Sequence, residues 1–212
     1  MNFSFIIYIK TVIVLMLLSS CNNISGHSLE TQVTEAEVQK RLEEKANEAM
    51  AFCEKNNYNT DFCVLIDMKI HSGRNRMFVW NFKTKSIDRK ALCAHGCGKG
   101  ENLSTGAKPV FSNTDGSLCS SLGKYKLGIR SYSQWGINVH YKMHGLEKTN
   151  NNAYKRIIVF HSHTPMPTKE IYPQHLPMGW SFGCPVTSDE MMRYMDKKLQ
   201  TNKKPTLMWI YY

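Results

Sequence analysis

The sequence predicts a mainly β domain with flanking helices, an α+β fold. An amphipathic helical pattern comes first, a series of short β-rich segments follows, and a second helical pattern lies near the end of the chain. With 212 residues and 42% hydrophobic content, the chain is long enough to bury a core. No internal repeat or low-complexity tract divides it. We therefore predict a single folded domain over residues 34–212.

The first helix is predicted over residues 34–55. Thr34 and Glu37 have capping-box spacing, which is typical of a helix N-terminus. The apolar positions that follow fall on one face at helical spacing: Val38, Leu42, Ala46, Ala49 and Cys53. A second helix is predicted after Ser188, a good N-cap residue, and its apolar face consists of Met191, Met192, Met195 and Leu199. We interpret this methionine stripe as core packing.

The segments between the helices are β-rich and are separated by Gly, Asn, Ser and Pro clusters. We predict strands over residues 62–70, 77–82, 86–93, 124–129, 137–143, 156–161 and 206–211. Residues 71–76 have the composition of a hairpin link between the first two strands.

The N-terminal segment has the pattern of an export signal over residues 1–20. Lys10 precedes an apolar run that is short for a membrane span. Leu18-Ser19-Ser20-Cys21 resembles the lipobox of bacterial lipoproteins, so we expect Cys21 to be lipidated and residues 22–33 to form a tether. An ordinary cleavable signal and an uncleaved anchor are the alternatives. The expected location is the cell envelope, lipid-anchored and facing the periplasm or the outer face of the membrane.

The charge of the chain argues against a nucleic-acid partner. The net charge is +10, but Lys and Arg are scattered and form no block of five like charges. No RNA- or DNA-binding motif accompanies them. We expect at most a loose attraction to anionic surfaces or polymers.

The chain has seven cysteines, six of them after Cys21. In an oxidising envelope, disulfides are the default expectation, for example between Cys53 and Cys63 or within the group Cys93, Cys97 and Cys119. The Cys93-Ala94-His95-Gly96-Cys97 segment lacks the second ligand pair of a structural zinc site, so we expect no metal there.

Cys184 lies in a different setting, a turn-like segment between a long loop and the second helix. Gly183 before it permits unusual dihedral angles and a close approach of substrate backbone. The predicted strand over 156–161 ends at His161. A thiol with a histidine nearby is the minimal arrangement for nucleophilic acyl transfer, and backbone N–H groups at Gly183 and Cys184 are candidate oxyanion donors. This interpretation predicts a reactive Cys184 with a lowered pKa.

The residues around both positions resemble a known family. Ile158-Val159-Phe160-His161 followed by Ser181-Phe182-Gly183-Cys184 is similar to the His and Ser-x-Gly-Cys pattern of the YkuD-like L,D-transpeptidase catalytic domain, in its murein L,D-transpeptidase branch. Further similar stretches lie at residues 110–114, 120–125, 144–147 and 152–154, so that the resemblance spans about residues 60–212.

The resemblance implies a β-sandwich or barrel-like catalytic domain, a Cys184 nucleophile and a His161 base. Ser162, Ser181 and Gly183 would shape the site. Phe182 stands where many members have a polar residue, which limits any oxyanion role there to the backbone. The implied substrate is the stem peptide of peptidoglycan, cut before its terminal D-Ala, with a stem amine, a protein amine or water as acceptor. No cofactor is implied, and we expect a monomer.

Several alternatives remain open at this point. His163, two residues after His161, competes for the role of base, and His144 lines the substrate groove or is structural. A metal-dependent peptidase would use His161, His163 and His175, but no His-Glu-x-x-His motif is present. The second functional hypothesis is a non-catalytic, peptidoglycan-binding lipoprotein with Cys184 in a disulfide.

Overall fold

The computed structural model describes residues 34–212. The expected signal, the lipidated Cys21 and the tether lie outside this range. The elements in chain order are α1 (Glu35–Lys55), β1 (Phe62–Asp67), β2 (Met77–Asn81), β3 (Ser86–Ala91), a 3-10 turn (Gly100–Asn102), β4 (Gly123–Tyr132), β5 (Val139–Gly145), β6 (Val159–Ser162), β7 (Val186–Thr187), α2 (Asp189–Gln200) and β8 (Thr206–Tyr211).

The strands form one sheet of eight in the order β3-β2-β1-β8-β4-β5-β6-β7. Beyond the end of β3, Ala94 pairs with Val186 of β7, which brings the two edges of the sheet together. The sheet is therefore a nearly closed barrel, and the mainly β fold predicted from the sequence is confirmed. The β1–β8 and β6–β7 pairs are parallel, and the other strand pairs are antiparallel.

Helix α1 begins at the capping box that the sequence contains. Glu37 N–H donates to Thr34 Oγ1, and the Glu37 carboxylate accepts from Thr34 N–H at 2.8 Å. The buried face of the helix covers the outer side of β1, β2 and β8, where it contacts residues such as Leu65, Trp80 and Leu207. Burying this apolar surface holds the helix on the sheet.

The inner side of the sheet forms the main core together with α2. Alternate residues of β4, β5 and β6 point inward, including Tyr125, Tyr141 and Phe160. Met191, Met192 and Met195 of α2 pack against them, as expected for a core stripe. Neither helix of residues 34–212 has the length and apolar content that a membrane span requires.

The cysteines differ from the default expectation, because all six in the described range are free thiols. Cys53 of α1 and Cys63 of β1 are fully buried between the helix and the sheet, and Cys93 is buried in the main core. The Cys119 thiol donates to Ser117 O at 3.5 Å. These side chains pack as small apolar groups, a common use of cysteine in protein interiors.

The strand over 156–161 also differs from its prediction, because β6 begins only at Val159. Residues 151–157 form turns, with Arg156 N–H donating to Asn152 O at 2.8 Å and Ile157 in the left-handed region at φ 58°. Arg156 is thereby taken out of the sheet, and its side chain is available to the neighbouring loops.

Candidate active site

Strands β6 and β7 bring Cys184 and His161 into one region. His161 of β6 pairs in parallel register with Val186, so Cys184, two residues before Val186, lies level with Val159. Val159 N–H donates to Cys184 Sγ at 3.4 Å. Measured along the strand direction, the thiol therefore lies two residues, about 7 Å, from the position of His161. No hydrogen bond joins the Cys184 thiol to the His161 ring within residues 34–212.

His161 has a defined tautomer. Its Nδ1 lies 2.9 Å from Ser162 O, and because a carbonyl only accepts, Nδ1 carries the hydrogen. Nε2 of the neutral ring then holds the lone pair that a general base needs. Burial is the main cause that lowers the pKa of His161, and the neighbouring His140 and His163 lower it further. The imidazole is therefore a neutral base at neutral pH.

The Cys184 thiol departs from the expected lowered pKa. Burial raises its pKa above the ordinary value of 9.0, and this outweighs the opposing effects of the Val159 N–H and the Arg156 charge. The resting group is a neutral thiol. A base must therefore remove its proton during the reaction, and the expectation of a lowered pKa at Cys184 was wrong.

The turn that presents Cys184 is closed by Ser181. Gly183 N–H donates to Ser181 Oγ at 3.1 Å, and the Ser181 hydroxyl donates to Cys184 O. Because the Gly183 N–H is used in this way, the Cys184 N–H is the backbone donor left for an oxyanion. Phe182 is 63% exposed and contributes no polar side-chain group.

Gly183 is required by both conformation and space. Its φ is +118°, which side chains rarely adopt, and a Cβ there would lie 2.8 Å from Cys119 O. The nucleophile turn thus rests directly on the backbone of the loop at residues 117–121, which we call the support loop. Ser120 connects the two, since its hydroxyl donates to Gly183 O at 3.1 Å and accepts from Gly96 N–H at 3.0 Å.

Arg156 is the residue that the sequence reasoning missed. Its guanidinium donates to Ser121 Oγ and Cys119 O, both at 2.6 Å, and to Ser112 O at 2.9 Å. These hydrogen bonds hold the support loop in place. The Arg156 charge also lowers the pKa of Cys184, against the larger effect of burial. Its place in a segment predicted as strand gave no sign of this role.

The other predicted site residues have different surroundings. The Ser162 hydroxyl is fully buried and accepts from Ile137 N–H at 3.1 Å, so only its carbonyl reaches His161. The His163 ring lies between Trp135 and Trp180, with ring centroids 5.6 and 5.4 Å away. His144 lies four residues beyond His140, the partner of His161, and is about 14 Å along β5 from that level.

The histidines of the metal-peptidase alternative do not converge. His175 stacks on His71 with ring centroids 3.7 Å apart, and its Nδ1 lies 2.9 Å from Ser72 Oγ on the β1–β2 link. In the Cys93–Cys97 segment, both His95 ring nitrogens are engaged, by Arg76 at 2.8 Å and Thr105 O at 3.1 Å. Across residues 34–212, no group of three His, Cys, Asp or Glu side chains is placed to hold a metal ion.

The described residues thus combine a nearly closed β barrel with a cysteine thiol and a buried imidazole at the paired strands β6 and β7. The family model described as L,D-transpeptidase catalytic domain matches residues 34–211. The chain belongs to this family, as the resemblance implied.

The solved structures that match this chain include proteins from Xylanimonas cellulosilytica and Campylobacter jejuni. An L,D-transpeptidase from Xylanimonas cellulosilytica has 12% identity and a TM-score of 0.37, with 76% of this chain and 68% of that chain covered. The helical cell shape determining protein Pgp2 from Campylobacter jejuni has 12% identity and a TM-score of 0.43. That alignment covers 79% of this chain and 55% of the Pgp2 chain. No curated protein gives a significant match.

Proposed function

We propose that this protein is an L,D-transpeptidase-type acyltransferase that acts on peptidoglycan stem peptides with Cys184 as its nucleophile. The observation that carries the proposal is the pairing of β6 with β7. In this pairing the Cys184 thiol accepts from the Val159 N–H, and Val159 lies two residues before His161 on β6. The His161 imidazole is neutral, and its orientation is fixed by Ser162 O. Membership in the L,D-transpeptidase catalytic domain family supports the reaction class and the substrate.

The reaction would proceed in two halves. Cys184 Sγ attacks the carbonyl of the third stem residue while His161 Nε2 takes the thiol proton. The Cys184 N–H would donate to the developing oxyanion, since the Gly183 N–H already donates to Ser181 Oγ. Collapse releases D-Ala, whose amine receives the proton from His161, and leaves a thioester on Cys184. An amine or water then attacks the thioester and restores the thiol.

The resting geometry must change before this chemistry can occur. The thiol faces Val159 N–H and not the imidazole, so a change in the Cys184 rotamer must bring Sγ toward His161 Nε2. Hydrogen bonds between nucleophile and base are often long in substrate-free enzymes and tighten when substrate binds. We propose that the substrate backbone displaces the Sγ contact with Val159.

The envelope location belongs to the same proposal. The lipobox-like Leu18–Cys21 segment would anchor the protein through lipid, and residues 22–33 would let the domain reach the cell wall.

Intact mass spectrometry of the full chain with a carbapenem or a tetrapeptide stem tests the proposal. We expect one covalent adduct on the wild-type protein and none on Cys184→Ala. An adduct that persists in Cys184→Ala, or the absence of an adduct with both ligands, would reject it. Quantitative disulfide bonding of Cys184 would instead favour a non-catalytic, peptidoglycan-binding lipoprotein.

A further inference from the structure

Two segments contact the nucleophile turn, and each of them contains a cysteine that the proposed reaction does not use. In the segment after β3, Cys97 N–H donates to Ser181 O at 3.0 Å. In the support loop, Cys119 O lies against Gly183, 2.8 Å from the position that a Cβ there would occupy. The backbones of Cys97 and Cys119 therefore both support the turn that presents Cys184.

The two segments lie side by side, with Cys97 opposite Cys119. Gly98 N–H donates to Leu118 O at 3.1 Å, and a Cβ on Gly96 would lie 2.8 Å from the backbone carbonyl carbon of Cys119. In antiparallel pairing, a bond from residue 98 to residue 118 makes residues 97 and 119 a non-hydrogen-bonded pair, with Cα atoms about 4.5 Å apart in regular strands. Disulfides join Cα atoms about 4.4–6.8 Å apart, so this register suits one.

The Cys119 thiol lies on the side of its segment that faces Cys97. Cys119 Sγ donates to Asn102 O at 3.5 Å, and Asn102 O occupies the space that a Cβ of Gly98 would need. The sulfur is therefore close to the backbone of the residue that follows Cys97. Burial is the main cause that raises the pKa of Cys119, and the charge of a Cys97 thiolate raises it further.

The two thiols differ in their access to solvent. Cys97 is partly exposed, whereas Cys119 is fully buried. Of the six cysteines in residues 34–212, Cys184 alone shares the partial exposure of Cys97, and the other three are fully buried. A dissolved oxidant can therefore reach Cys97 first, and Cys119 is placed to react with it in a second step.

We propose that Cys97 and Cys119 form a disulfide that staples together the two segments that support the nucleophile turn. The Cys97 thiolate attacks a disulfide oxidant such as oxidised glutathione, which gives a mixed disulfide and releases one glutathione. The Cys119 thiolate then attacks Cys97 Sγ and releases the second glutathione, and the two protons lost by the cysteines end on the two glutathione thiols. The free thiols of this structure are the reduced state of the pair.

Peptide mapping by mass spectrometry after treatment with oxidised glutathione tests the pairing. Every protein is the full chain with Cys184→Ala, which removes the other partly exposed thiol of the domain. We expect a Cys97–Cys119 cross-link that dithiothreitol reverses. Cys119→Ser should stop at the mixed disulfide and carry glutathione on Cys97, whereas Cys97→Ser should leave the buried Cys119 unmodified. As the matched control, Cys63→Ser removes a buried cysteine of β1 and should still form the cross-link.

Thermal unfolding tests whether the cross-link acts as a staple. The oxidised protein should have a Tm about 5 °C or more above that of the reduced protein, because the bridge closes the loop between residues 97 and 119. Cys97→Ser should show no such change with oxidant. A protein that forms no cross-link, or that links Cys97 to another cysteine, would overturn the pairing, and a cross-link without a rise in Tm would overturn the staple. Neither readout depends on acylation, so these outcomes are separate from the proposed function.

Discussion

Burial acts in opposite directions on the two groups of the candidate active site. It raises the pKa of the Cys184 thiol and lowers that of the His161 imidazole, because the charged form is disfavoured in each case. The resting pair is a neutral thiol and a neutral base. A thiol in this state is protected from adventitious oxidation, since the thiolate is the reactive form.

The choice of base is testable at this scale. His161→Ala should slow acylation of Cys184 by a carbapenem about 10²–10⁴-fold, because it removes the Nε2 lone pair that takes the thiol proton in the proposed reaction. His163→Ala should slow it far less, since that ring lies between two tryptophans. The reverse ranking of the variants would identify His163 as the base.

The pKa of His161 is below its usual 6.5, so the rate of wild-type acylation should stay constant as the pH falls to 6.5 and should decline only below that pH.

At the scale of elements, Arg156 determines how the nucleophile turn is supported. Its guanidinium joins the support loop to the start of β6, and Gly183 packs on that loop without space for a Cβ. Arg156 is a positioning residue in this arrangement, because it acts through the loop and through its charge.

Substitution of Arg156 separates these two contributions. We expect Arg156→Ala to reduce acylation strongly and to move iodoacetamide alkylation of Cys184 to higher pH, since the Arg156 charge lowers the thiol pKa. Arg156→Lys should restore the alkylation profile in large part, because it keeps the charge, but not the acylation rate, because lysine cannot bridge the same acceptors. If the alkylation profile is the same in all three proteins, the charge of Arg156 has no effect on the thiol.

The elements also show which features a sequence can reveal. The Thr34 cap, the apolar face of α1 and the methionine stripe of α2 are local patterns, and each predicted element is present. The two-residue strand β7 and the Ala94–Val186 closure depend on contacts distant in the chain, which no local pattern marks. The roles of Arg156 and Ser120 are likewise set by packing between loops.

At the scale of the whole molecule, a buried polar network fixes the segment after β3 against the rest of the barrel. Arg76 is fully buried and donates to Cys93 O at 2.7 Å and to His95 Nδ1 at 2.8 Å. The remaining ring nitrogen of His95 donates to Thr105 O at 3.1 Å. The same segment supplies Ala94, which closes the sheet, so its stability is linked to that of the barrel.

This network predicts an acid sensitivity of the fold. Burial, followed by the Arg76 charge, lowers the pKa of His95 from 6.5 to about 4. Between pH 6.5 and 4 the unfolded chain binds a proton at this histidine that the folded protein does not, so the free energy of unfolding decreases as the pH falls through this window. A pKa shift of this size corresponds to a change of about 3 kcal/mol in the free energy of unfolding.

The His95→Gln variant should be less stable than wild type at pH 7, because the substitution weakens the network, but it should lose less stability on acidification. Urea unfolding of both proteins at pH 7, 5.5 and 4.5 measures the difference, and parallel losses would show that His95 is not the sensitive group.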